Sequence, residues 1–521
     1  GVGMDGSARA AARFVLALLV VAFVCVSSGA TAAPKAKILR IDPRASLEDG
    51  APVLTVVAEL VKQKALSDLT SQCATLTAND DLRCVADLME KPQALYDPFA
   101  FPDEAALFTV EVDGQDRPTT FVSVDTWGKS KKQDGVGTAW LILIDAAHSM
   151  GGRLGDAKAI AKQFVNKMGP KDVIDIMFFN DRAIVRHSKW LDKKSAASAY
   201  IDSVGGTFPP QGRTRPLFNI IKQGATDGFS ELGNTGQNID VPMHQAMVVL
   251  SNGVSGSDIG SPAQVALAPK DYMTKGRFPE DNETLPKAPV PIISVWFPAR
   301  AQEEFFQNAR QFMENLANPE IGGFHSIVLE GENQRAAKIV DSVTRRFDQM
   351  YITKWRVPCI APKVGQTFKL VFKNIKTPVA GDNFINVPVG IDPTTWPLDI
   401  DYEKTEEYAS KNPLYPGGET KIFGNFCWGA DHKRAELYLI PAKQPVPESL
   451  KGRSLEEARD AQKQLLGSNL VAKATSAGDT YAVFELPDNT KWLAGKEKDM
   501  SARVVVADTS ARRTSARTAD T

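Results

Sequence analysis

The run Thr138-Ala-Trp-Leu-Ile-Leu-Ile144 is apolar at nearly every position and stops abruptly at Asp145. A strand with one face in water alternates polar and apolar residues. This run does not, so both of its faces must be covered. Downstream, helix-period segments at Gly155–Met168, Ser195–Val204, Pro216–Leu232, Glu303–Leu316 and Gln334–Met350 alternate with extended ones. The extended segments are Asp172–Phe179, Ala183–Trp190, Ala246–Leu250, Pro291–Trp296 and Phe324–Leu329. This alternation predicts an α/β domain over residues 137–355, a mostly parallel sheet with helices on both faces. Ligand sites in such sheets lie at the carboxyl ends of the strands, which directs attention to the residues just past Ile144.

Those residues are Asp145-Ala-Ala-His-Ser149, followed by a Gly-rich turn and a helix. One βα unit later comes Gly169-Pro-Lys-Asp-Val-Ile-Asp-Ile-Met-Phe-Phe-Asn-Asp181. Gly212-Arg-Thr214 then stands at a helix start, and Val248-Val-Leu-Ser-Asn-Gly253 at a strand end. In this order the segments resemble the von Willebrand factor type A (vWA) family, over about two fifths of the chain. The resemblance implies a Rossmann-like central sheet whose loops converge on a metal-ion-dependent adhesion site for Mg²⁺ or Mn²⁺. Small hard cations take oxygen ligands and can leave one position for a partner's carboxylate. The matched positions are Asp145, Ser149 and Thr214, with Thr207 as a rival for the threonine. Two positions depart from the family pattern: Ala147 replaces a serine hydroxyl, and Asn252 replaces an aspartate. The expected site is therefore degenerate.

The same residues also read as turn chemistry, with Asp145 accepting loop N–H groups and Ser149 capping a helix. A third reading takes Ala147-His-Ser-Met-Gly151 as the nucleophile elbow of a serine hydrolase. That fold needs βα units and an oxyanion loop upstream, whereas His148 is the first histidine of the chain. His187 and His244 lie at a strand and just before another, and His325 and His432 are the possible bases, neither with an Asp partner at the expected place. Asp172, Asp175 and Asp181 fit strand edges and turns better than a catalytic cluster. Trp140, Trp190, Trp296 and Trp355 read as core or sheet-flank residues. Phe305, Phe312 and Leu316 recur at helical spacing and read as core as well. Arg453–Lys463 reads as a solvated helix face.

Around this domain the texture is β-rich. Ala36–Ile41, Pro52–Val61, Leu107–Val112 and Thr119–Val124 read as strands, the last two joined across Asp113-Gly114. They predict a β-sandwich over 34–128 with a helical or looped insert at Leu66–Lys91, followed by a linker at Gly128–Gly137. Beyond Trp355 the strands Gln366–Lys373, Phe384–Val389, Glu436–Ile440, Leu470–Thr475, Tyr481–Leu486 and Arg503–Val506 predict a second β-rich domain over 356–508. A helix opened by the capping box Ser454-Leu-Glu-Glu457 interrupts it. Residues 509–521 have the composition of a disordered tail.

Arg9 and Arg13, the apolar run Phe14–Val26 and the exit Ala30-Thr-Ala32 form a secretory signal pattern over 1–33, too short for a stable membrane span. Export favours disulfides among Cys73, Cys84, Cys359 and Cys427, and the domain layout favours Cys73–Cys84 and Cys359–Cys427. Cys25 lies within the signal segment. Lys and Arg (61) balance Asp and Glu (62), so no bulk charge draws the chain to nucleic acid. The expectation is an exported protein, periplasmic, extracellular or surface-associated, that binds a protein ligand rather than catalysing a reaction. A working metal site would take that ligand through an acidic side chain. A metal-free envelope scaffold is the alternative.

Overall fold

The computed structural model describes residues 35–42, 53–98, 100, 106–112, 115–118, 120–133, 135–209, 212–232, 244–254, 269–270, 273–274, 289–298, 303–356, 368–374, 384–387, 398–426, 435–441, 464, 466–467, 469–478, 480–493 and 503–508. The signal segment, the tail, Cys359, Cys427, His432 and the helix expected at Ser454 lie outside them. Strand β1 (Lys35–Asp42) pairs antiparallel with β2 (Val53–Gln63). The expected insert follows as helices α1 (Leu66–Thr70) and α2 (Ala78–Met89), with Cys73 and Cys84 joined by a disulfide. Strand β3 (Tyr96–Pro98) then returns to β2. The insert docks on the α/β body through ion pairs: Asp81 with Arg310, and Asp87 and Glu90 with Arg335 at 2.7 and 2.6 Å.

Two expectations for this region are overturned. Strand β4 (Ala106–Val112) makes its hairpin with the short β5 (Gln115–Pro118), while β6 (Thr120–Thr126) joins a different sheet. The predicted linker begins as a helix, α3 (Trp127–Lys132), capped by the Thr126 hydroxyl accepting the Lys129 N–H at 3.3 Å. Its Lys, Ser and Gly content imitates a linker, but Trp127 anchors it at 1% exposure. The glycine ending the segment is a packing residue, since a Cβ on Gly137 would lie 2.0 Å from the Lys171 carbonyl oxygen. Gly137→Ala is expected to lower stability by about 1–3 kcal/mol through overpacking, as read by urea denaturation.

The central sheet runs through β7 (Thr138–Asp145), α4 (Arg153–Asn166), β8 (Val173–Phe179), β9 (Ile184–His187), α5 (Lys194–Asp202), α6 (Leu217–Glu231) and β10 (His244–Ser251). It continues with β11 (Ile292–Trp296), α7 (Glu303–Leu316), β12 (Phe324–Ile327) and α8 (Arg335–Asp348). The strand order is β12-β11-β10-β7-β8-β9, parallel except for β9. Alternate residues of β7 show why the run is apolar throughout. Trp140 meets Phe164 of α4 and Phe347 of α8, with ring centroids 5.2 and 5.5 Å apart. Leu141 and Leu143, on the opposite face, lie against Gly228 and Gly224 of α6. Missing side chains at those glycines let the helix approach the sheet closely.

Trp140, Trp190, Trp296 and Trp355 are all buried, as expected. Phe312 and Leu316 of α7 are buried too, but Phe305 is 44% exposed. Phe305 shares their helical face yet lies in the first turn of α7, where that face is not covered. Helical period identifies a stripe but not how much of it the sheet reaches.

The strands flanking the α/β body are shared across it. Strand β13 (Tyr351–Arg356) pairs with both β2 and β6, and β14 (Phe368–Asn374) pairs with β4 and with β15 (Phe384–Val387). Among the described residues, the strands of 34–128 therefore do not close into a sheet pair of their own. They are completed by strands that follow the α/β segment, which local periodicity could not reveal. Farther on come β16 (Asp399–Ile400), α9 (Tyr402–Lys411), β17 (Glu419–Asn425), β18 (Ala435–Ile440), β19 (Leu470–Gly478), β20 (Tyr481–Glu485) and β21 (Arg503–Asp508). They build an antiparallel sheet of order β16-β17-β20-β19-β18-β21 over a core that includes Leu398, Ile422, Phe426, Phe484 and Val506. Sequence reading missed α9 and β17.

Candidate functional site at the carboxyl rim of the central sheet

Strand β7 has β8 on one side and β10 on the other, so the chain reverses its winding between β7 and β10. Crevices at such reversals, outside the carboxyl ends of the strands, are where open α/β sheets bind ligands. Asp145 ends β7 and Ser251 ends β10. The Ser251 hydroxyl donates to Asp145 Oδ2 at 2.7 Å, and the Ala147 N–H donates to Asp145 Oδ1 at 2.9 Å. Ser251 Oγ in turn accepts the Gly253 N–H at 2.9 Å. Asp145 is 2% exposed, and burial pushes its carboxyl up to about 6, with the Asp181 charge adding to the rise. The Ser251 and Ala147 hydrogen bonds oppose that shift but do not cancel it.

Asn252 is buried beside this carboxyl group. Its side-chain Oδ1 accepts the Val254 N–H at 3.0 Å, so its Nδ2 faces outward and donates to Ser149 Oγ, also at 3.0 Å. The Trp296 indole N–H holds the Asn252 carbonyl at 2.9 Å. Gly253 has φ +73°, and a Cβ there would meet the Ala309 carbonyl at 2.8 Å, so this turn requires glycine. Ser149 and His148 are exposed on a short 3₁₀ turn.

The third loop reaches the same rim. The Phe208 N–H donates to the Ala146 carbonyl at 2.8 Å, which lays Thr207 and Phe208 alongside Ala147. Thr214 lies farther along, where its neighbour Arg215 donates its N–H to the Asp181 carbonyl at 2.9 Å. Asp145, Ser149 and Asn252 are thus joined directly or through Ser251, while the Arg215 backbone next to Thr214 is tethered to the β8–β9 turn. Asp181 occupies that turn, which Asn180 stabilises by accepting the N–H groups of Arg182 and Ala183. Asp172 is a turn residue too, taking N–H groups from Thr138 and Gly169 at 2.7 and 2.8 Å. Asp175 departs from the sequence reading: it lies mid-strand, fully buried, and pairs with His187 Nε2 at 2.7 Å.

Sequence reasoning missed Ser251, although it is the first polar residue after Met247–Leu250 and stands beside the Asn-Gly turn. It also missed Arg153. Arg153 donates to the carbonyls of Pro298, at 2.8 Å, and Val328, and pairs with Asp156 at 2.7 Å. That clamp ties the start of α4 to the ends of β11 and β12.

A divalent cation is a poor fit for this donor set. Ala147 offers no side-chain ligand, and Asn252 turns an N–H toward Ser149. A hard cation needs oxygen there. Among the described residues no group of three or more His, Cys, Asp or Glu side chains could hold a metal. A hydrolase elbow would strain its serine, but Ser149 keeps an ordinary negative φ. Its hydrogen-bond partner is Asn252, and the candidate base His325 is fully buried.

Taken together these features define a doubly wound α/β domain with a polar rim at its topological switch point. Scans against protein-family models and against curated proteins return no match. Solved structures similar to the chain include a von Willebrand factor type A protein from Catenulispora acidiphila. It is 11% identical, with a TM-score of 0.28, over 57% of this chain and 75% of that one. The pilus adhesin SpaC from Lactobacillus rhamnosus GG, in an open conformation, is 9% identical, with a TM-score of 0.26, over 92% of this chain. The chain spans 57% of the length of SpaC. A mutant of the PilB minor pilin from Streptococcus sanguinis is 9% identical, with a TM-score of 0.27, over 62% of this chain and 80% of that one. Likeness at this level assigns neither family nor ligand.

Proposed function

We propose that this chain is an adhesion-type protein-binding module of the vWA kind, working through the carboxyl rim of its central sheet without a resident divalent cation. The observation that carries this reading is the convergence of Asp145, Ser149, Ser251 and Asn252 at the β7/β10 switch point. That edge presents His148 and Ser149 to solvent above a hydrogen-bonded and fully buried base. Such a surface offers hydroxyl and imidazole groups to a protein partner. The balanced charge supplies no attraction for nucleic acid. No helix among the described residues is long and apolar enough to cross a membrane. The Cys73–Cys84 disulfide supports an oxidising compartment, in keeping with the signal pattern at 1–33.

A photo-crosslinking side chain placed at His148 tests the working surface, with Lys171 at the opposite edge as control. The expected result is capture of partner proteins on the source cells from position 148 and not from 171. Identical capture patterns at both positions would sink the reading. Calorimetry tests the cation. The native chain is expected to give no saturable heat with Mg²⁺ or Mn²⁺. Ala147→Ser with Asn252→Asp adds one hydroxyl and one charge, and is expected to give a saturable heat where the native chain gives none.

A further inference from the structure

A small cavity lies where the disulfide insert meets the α/β body, lined by Tyr96, Gly322, Gly323, Ser342 and Arg346 among others. Its volume is about 10 Å³, close to the least that admits one water molecule. Arg346 is 3% exposed, and its Nε and Nη2 donate to the Glu59 carboxylate at 2.6 and 3.0 Å. The guanidinium carbon stands 5.0 Å from the centre of the Tyr96 ring. Its third nitrogen, Nη1, is buried and makes no hydrogen bond within the protein, and the same holds for the Tyr96 hydroxyl. An orphaned buried donor costs about 1–3 kcal/mol, which a bridging water relieves.

The geometry points to a binding site for a single water molecule that accepts from Arg346 Nη1 and shares a hydrogen bond with the Tyr96 hydroxyl. A small anion fits less well, because the Glu59 carboxylate already neutralises this guanidinium and would repel a second negative charge. Tyr96 belongs to β3, where the chain leaves the insert, and Arg346 belongs to α8. The water therefore fastens the exit of the insert to a helix of the central domain.

High-resolution crystallography of the full chain is expected to show one density peak about 2.7–3.2 Å from both atoms. A peak bonded to neither atom, or no peak, overturns the proposal. So does an anomalous signal at that position after a bromide soak, which would make it an anion site. Tyr96→Phe keeps the ring and its packing while removing the hydroxyl. It is expected to lose the peak and to lower the melting temperature by about 2–4 °C. An unchanged or higher melting temperature would mean that the hydroxyl has no partner to lose, and would also overturn the proposal.

Discussion

Replacing Arg346 with methionine is expected to cost about 3–5 kcal/mol of folding stability, because it strands the Glu59 carboxylate in the core. Glu59 and Arg346 are 2% and 3% exposed and meet through two hydrogen bonds at 2.6 and 3.0 Å. They also join parts far apart in the chain, since Glu59 lies on β2 and Arg346 on α8. Truncating one partner removes the attraction but leaves the desolvated charge. Removing both with similar volume, as in Glu59→Leu with Arg346→Met, is expected to recover most of the loss. Urea denaturation of the two variants beside the native chain measures this directly. A single variant within about 1 kcal/mol of native would show that solvent reaches the pair, against its burial here.

Acid is expected to destabilise the fold well before the bulk of its carboxylates protonate. His244 is packed between Trp127 and Phe347, with ring centroids 5.5 and 4.6 Å away, and its imidazole is pushed down to about 3 by burial, with Arg40 adding to the fall. Burial pushes His325 down to about 3 as well, and the Arg310 charge acts in the same direction. Both side chains are neutral in the folded protein but take up a proton near pH 6.5 once unfolded. The unfolded chain thus binds more protons between these values, so stability falls as pH drops below about 6.5. From pH 7 to 5 each histidine removes roughly 2 kcal/mol.

Asp145 works the other way. Its folded value near 6 lies above the unfolded 3.8, so its contribution grows as pH falls through 6 and returns about 1 kcal/mol by pH 5. These three groups together give an expected loss of about 2–3 kcal/mol between pH 7 and 5, which the raised values of Asp172, Asp175, His187, Glu314 and Asp348 reduce. Denaturation midpoints at the two pH values provide the measurement. His325→Leu should remove about half of the histidine contribution. Equal stability of the native chain at both pH values would rule the mechanism out.

Elements whose signal is local were readable from the residues. The run Thr138–Ile144 announces a strand covered on both faces because seven successive positions leave no polar side for water. The five helices of the α/β body begin and end close to where their apolar periods do, and Cys73 and Cys84 lie close enough in the chain to find each other. The position of the site followed from the same logic: a parallel sheet directs ligands to its carboxyl edge, and Asp145, Ser149 and Asn252 all sit there. What local signals could not supply was the direction of Asn252. Its amide turns its nitrogen toward Ser149 because the Val254 N–H takes its oxygen, a choice made by the turn geometry. Nor could local signals supply the Phe208 N–H contact with the Ala146 carbonyl, which lays Thr207 beside the Asp145 loop.

Periodicity, apolar runs and turn residues report what each segment buries, and by themselves they determined the α/β character of the middle of the chain and the rim where its loops end. Only the tertiary structure decided which strand lies beside which. The hydrogen-bonding edge of a strand is the same whatever its sequence, so β2 and β6 carry no mark naming β13 as their shared neighbour. That pairing, and the Glu59–Arg346 contact beside it, emerge only when distant segments compete to cover the same apolar surface.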